Sequence, residues 1–98
     1  MNAKKKFDRV WDAIEDTTLE AKNMQLRATL MNALRDHIAQ LELTQVEVAK
    51  MLGVTQPRVS DLVQGKINLF ALDVLVNMAT AAGLSIDLQI YNNDKEAA

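Results

Sequence analysis

The chain has no cysteine, which excludes disulfides and thiolate metal sites. Four of its 98 residues are aromatic (two Phe, one Trp, one Tyr), so the core must be aliphatic. A lone histidine, His37, has no ligand set around it in sequence and is expected at a surface or boundary position. No apolar run approaches the length that spans a bilayer. Phe7-Asp8-Arg9 stands where a secretory leader would need an apolar stretch. These points lead to an expectation of a cytoplasmic, non-membrane protein. Glycine occurs three times and proline once, and each reads as punctuation. Gly53, Gly65 and Gly83 read as helix stops, and Pro57 as a first-turn residue.

Charge of one sign is also lacking. The net charge is −2, which predicts modest non-specific affinity for nucleic acid, because few phosphates would be neutralised. Distribution refines this. Between Leu43 and Asn68, Lys50, Arg58 and Lys66 outnumber Glu47 and Asp61 by one. The acid is concentrated elsewhere.

The length gives one domain, 1–98, with no room for a second core. The expected fold is all-α, with five short-to-medium helices and one C-terminal β-strand. Lys4 to Lys6 read as a solvated terminus. Phe7, Val10, Trp11 and Ile14 recur at steps of three and four, giving a short amphipathic helix within an arm over 1–18. Thr17 with Glu20 matches a capping box, so a second helix is expected from Leu19 to about Leu41. Met24, Met31, Leu34, Ile38 and Leu41 form its inward stripe, and Leu26, Leu30 and Ala33 a second row.

The stretch from Leu43 to Lys66 organises the rest. Thr44 and Glu47 match another capping box. Val46, Ala49 and Leu52 are expected to face inward, with Ala49 small enough for two helices to cross closely. Gly53 ends the first helix, and Val54 fills the gap between the two. Thr55 caps the second helix, with Val59, Leu62 and Val63 expected inward. This leaves two helices and a tight turn at 44–64. After Gln64-Gly65-Lys66-Ile67-Asn68, Asn68 is expected to cap a last helix from Leu69 to about Ala82, with Leu72, Leu75, Val76 and Ala79 inward.

Such a unit suits DNA. The major groove accepts an α-helix and presents a distinct donor and acceptor pattern for each base pair. Thr44 and Gln45 open the first helix, where free N–H groups suit a phosphate. Gln56 offers a donor and an acceptor to adenine. Arg58 can read guanine with two hydrogen bonds or pair with phosphate. Ser60 and Asp61 follow one turn deeper, and Asp61 can accept from cytosine or position Arg58. Lys66 and Asn68 lie where a backbone would pass. Each piece alone fits any capped helical bundle; the joint pattern is what points to DNA. No nucleophile–base pair, metal cluster or phosphate-cradling loop is visible, so an enzyme is not expected, nor any cofactor.

The tail alternates. Leu84, Ile86, Leu88 and Ile90 are interleaved with Ser85, Asp87, Gln89 and Tyr91, which is strand periodicity over 84–91. One strand cannot satisfy its own backbone. The simplest partner is the same strand of a second copy, making Leu84, Ile86, Leu88 and Ile90 a homodimer interface. Strand addition to another protein and a tail packed on its own helices are the alternatives. Asn92 to Ala98 is polar and expected to be disordered.

The pattern T-Q-x-x-x-A-x-x-x-G-V-T-Q-P-x-V-S-x-L-x-x-G-K over 44–66 closely resembles the Xre-type, phage-repressor-like helix-turn-helix family. Trp11-Asp12-Ala13-Ile14 before it, and Phe70-x-Leu72-Asp73-x-Leu75-Val76-Asn77-Met78 after it, are similar to short Xre regulators of the HigA-like antitoxin subgroup. The resemblance implies a dimeric transcriptional repressor on double-stranded DNA, with an operator of two related half-sites, autoregulatory within a toxin–antitoxin operon. It also implies a cognate toxin as a possible partner. An antitoxin acting chiefly by binding its toxin, through the arm at Phe7 to Ile14 or the tail, is the alternative. By motif position, Gln45 would contact phosphate and brace Gln56. Thr55, Gln56, Pro57, Arg58 and Asp61 would face bases or nearby phosphates. Pro57 departs from family members that carry a second polar reader there.

Overall fold

The computed structural model describes the backbone of residues 2–92 and the side chains of residues 18–92. Four α-helices follow one another: α1 (Asn2–Leu41), α2 (Gln45–Leu52), α3 (Gln56–Val63) and α4 (Leu72–Ala81). A 3-10 turn at Ile67–Leu69 joins α3 to α4.

The first correction concerns α1. Five helices were expected, with a boundary at Thr17 and Glu20, but one helix of 40 residues runs through that point. No glycine or proline precedes Gly53. Two threonines inside a helix cost only a few tenths of a kcal/mol each, too little to stop one. The expected packing of Phe7, Val10, Trp11 and Ile14, and the solvation of Lys4 to Lys6, fall outside the residues whose side chains are described. Leu41 ends the helix as expected, and Glu42 makes the turn in left-handed conformation, φ 56°.

The second correction concerns the tail. Among the described residues there is no strand. Nothing among the described residues pairs with the alternation of residues 84–91. Its first member folds back instead. The Leu84 N–H donates to Ala79 O at 2.9 Å, closing the end of α4, and the Leu84 side chain packs on the core. Leu84 therefore belongs to its own protomer's packing. Ile86, Leu88, Ile90 and Tyr91 stay exposed. Residues 93–98, expected to be disordered, lie outside the described residues.

The core is aliphatic around one ring. Met31, Leu34 and Ile38 of α1 meet Val48, Ala49 and Leu52 of α2, Val59 and Leu62 of α3, and Leu75, Met78 and Ala79 of α4, with Phe70 fully enclosed. Ala49, the expected crossing point, is buried. Leu30, Met51, Val54, Ile67 and Val74 pack on its edge. Five inward assignments fail. Val46 is exposed while Val48 is buried, Val63 and Val76 lie at the surface, and Leu26 and Ala33 carry no second buried row. Asn68 sits inside the 3-10 turn, and α4 begins after Ala71 with no side-chain cap. That turn lets Phe70 enter the core, a stronger term than one cap, since burying a large aromatic contributes about 1.5–3 kcal/mol.

Polar groups of α1 close the other elements. Arg35 Nε donates to Val63 O, the end of α3, at 3.1 Å. Arg27 Nη1 donates to Ile67 O at 3.3 Å, and Arg27 Nε to Asn23 Oδ1 at 2.8 Å. His37 Nε2 lies 2.9 Å from Ala82 O, beyond α4. Carbonyls at helix ends lack intrahelical partners, and such donors offset that at Val63 and Ala82; Ile67 O also accepts from the Phe70 N–H at 3.1 Å. His37 is half-buried, at the boundary position expected of it.

Candidate nucleic-acid interface

Helices α2 and α3 are built by short-range signals. Thr44 Oγ1 accepts from the Glu47 N–H at 3.1 Å, while Glu47 Oε1 accepts from the Thr44 N–H at 2.9 Å, completing the capping box. Gly53 takes φ 71°, and its neighbour's N–H, that of Val54, reaches back to Ala49 O at 3.0 Å. A left-handed residue there costs glycine nothing. Thr55 caps α3 by accepting from the Arg58 N–H at 3.3 Å, and Pro57 lies in the first turn, where no N–H is needed.

Each residue of an α-helix turns by roughly 100°. Val59 and Leu62 point into the core. The opposite side of α3 is therefore a ridge of Pro57, Ser60, Asp61 and Gln64. Gln56 and Arg58 stand on its two flanks, about 160° apart around the axis. Both flanks are anchored. On one, Gln56 Nε2 donates to Gln45 Oε1, tying α3 to α2. On the other, the Arg58 guanidinium lies 4.0 Å from the centroid of the Phe70 ring, and its Nη1 donates to Leu69 O at 2.8 Å.

The remaining expected site residues are placed as follows. Thr44, Gln45 and Thr55 gather at the adjoining starts of α2 and α3, with Thr44 and Thr55 exposed and Gln45 half-buried. Ser60 Oγ accepts from Gln64 Nε2 at 3.0 Å. Asp61 does not position Arg58; its carboxylate pairs with Lys66 Nζ at 3.3 Å. Both partners are partly exposed, so this pair orders the start of the loop more than it stabilises the fold.

Some contributors were not picked out from sequence. Gln64 was read only as loop, although it continues the α3 ridge. Phe70 was quoted for its family pattern and not as the platform of Arg58. Arg27, otherwise only part of the family pattern Leu26-Arg27-Ala28, and Arg35 form one row of i, i+4, i+8 on α1 with Met31 between them. Residues four apart share one helix face, so both cations lie on the face that Met31 turns to the core.

Comparison with known proteins agrees with this geometry. The family described as "Helix-turn-helix domain" matches residues 13–91. The chain belongs to this helix-turn-helix family. Among solved structures, it resembles a chain described as an XRE-family transcriptional regulator, with TM-score 0.70 and 29% identity over 74% of this chain and 82% of that one. No curated protein matches it. Among the described residues, no helix is long and apolar enough to cross a membrane.

Proposed function

We propose that this member of the helix-turn-helix family is a sequence-specific transcriptional repressor that lays α3 in the major groove of double-stranded DNA. The observation that carries the reading is the mounting of α3. A polar ridge faces outward, and both of its flanks are tied to neighbouring elements through side chains. A reading element needs this rigidity, because base contacts require fixed geometry. Thr44, Gln45 and Thr55 then meet phosphate beside the helix starts. Gln56, Pro57, Ser60 and Asp61 face base edges, and Lys66 meets the backbone.

The repressor acts as a dimer, with two α3 helices about 34 Å apart on related half-sites. The exposed side chains of Ile86, Leu88 and Ile90 support an apolar contact between copies. The sequence resemblance supports autoregulation in a toxin–antitoxin operon in the cytoplasm. The same exposed tail supports the second reading, an antitoxin that binds its toxin directly.

In vitro selection from a random duplex pool tests the main reading. Enrichment of two related half-sites spaced by one helical turn is expected. A pool that gains no common sequence over repeated rounds would refute it. For the second reading, the product of a neighbouring gene should co-purify with the full chain, and Leu88→Ser with Ile90→Ser should release it.

A further inference from the structure

We propose that Arg58 is a clamp for a DNA backbone phosphate, held ready by Phe70 and Leu69, and not a reader of base edges. The proposal rests on the DNA-binding reading above and assigns Arg58 its role within it.

Placement carries the argument. Arg58 is not on the outward ridge of α3 but on the flank that faces the linker to α4. Its guanidinium lies over the ring of Phe70, a residue with no exposed surface, and one N–H is given to the Leu69 carbonyl. The side chain is thus drawn back against the protein body, away from the tip that would enter a groove. Lys66, paired with Asp61, and Asn68 are exposed on the same linker, so the linker beside Arg58 carries a further cation and an amide. Backbone contact uses such groups.

The state of the guanidinium fits this use. Its single resolved hydrogen bond occupies Nη1 and leaves the Nε–H and the Nη2 hydrogens as a planar fork, which matches two oxygens of one phosphate. Among the described residues no carboxylate pairs with it, because Asp61, the acid nearest in sequence, is taken by Lys66. Among the described residues the charge is therefore left without a neutralising acid. The aromatic platform and the carbonyl already fix the rotamer, so little further side-chain freedom is lost on binding.

The two roles separate in a salt titration. Arg58→Ala and Arg58→Lys would be measured against the duplex recovered by selection with the wild type and against a scrambled duplex of equal length and composition. Titrations would run well below each variant's melting temperature, with the melts recorded. For a phosphate clamp, Arg58→Ala weakens binding to both duplexes by the same factor, about tenfold, and lowers the slope of log K against log salt by about one. Repeating the selection with Arg58→Ala recovers the same half-site. Arg58→Lys keeps the slope and regains only part of the affinity, since an ammonium cannot fork and stack together. Loss confined to the selected duplex, a relaxed base pair in the new selection, or unchanged binding in a folded variant would each overturn the clamp. Failure of the wild type to prefer its selected duplex would instead sink the DNA-reading function itself.

Discussion

The helix-turn-helix and the tail solve the problem of backbone hydrogen bonding in opposite ways. Every boundary of α2 and α3 is closed within a few residues: Thr44 with Glu47, Gly53 with Lys50, Thr55 with Arg58, Gln64 with Ser60. In the tail, the Leu84 N–H to Ala79 O bond is the last backbone bond among the described residues. Leu88 and Ile90 are then 80% and 84% exposed. The first region is complete in one molecule, while the second has apolar surface left over for another. The proposed DNA-facing region and the exposed tail thus share no hydrogen bond among the described residues, so each can be altered separately.

Substitutions can break that contrast at its strongest point first. Leu62→Ala removes a fully buried side chain at the heart of α3 and is expected to cost about 2–5 kcal/mol in urea unfolding. A loss below 1 kcal/mol would mean that α3 is not seated as described. Gly65→Ala comes next, at about 1–2 kcal/mol. Its φ is +76°, and a new Cβ would stand 3.3 Å from Arg35 Nη1, so the Arg35 side chain that holds Val63 O must shift as well. The smallest effect belongs to the tail. Ile90→Ser should leave stability within about 0.5 kcal/mol of wild type in urea unfolding at high dilution. A marked loss at that dilution would place Ile90 in its own protomer's core and remove the contrast.

How much could be read from sequence follows the same division. The caps at Thr44 and Thr55, the stop at Gly53 and the burial of Ala49, Val59 and Leu62 were all legible, because each signal acts over three or four residues. The mounting of α3 was only partly legible: Gln56 and Arg58 were singled out, and geometry adds that they stand on the two flanks of the ridge, each tied to a neighbouring element. What fixes Arg58 is Phe70, twelve positions on, and no local pattern joins the two. Thr17 to Glu20 had the form of a helix start, but a cap pattern cannot compete with an uninterrupted helix on both sides. Residues 84–91 had the form of a strand, yet a strand is a relation between two segments, and only one is present here. The alternation identified which side chains are apolar and could not supply their partner.

Arg27 and Arg35 sit eight positions apart on one rigid helix, about 12 Å along its axis. One holds Val63 O and the other Ile67 O, at either end of the connector that leaves α3. Together they act as a gauge for that connector. An inserted or deleted residue between Gln64 and Lys66 would leave one guanidinium out of step with its carbonyl and let α3 swing. Length variation in this protein should therefore be tolerated beyond Leu84 and selected against in those three positions.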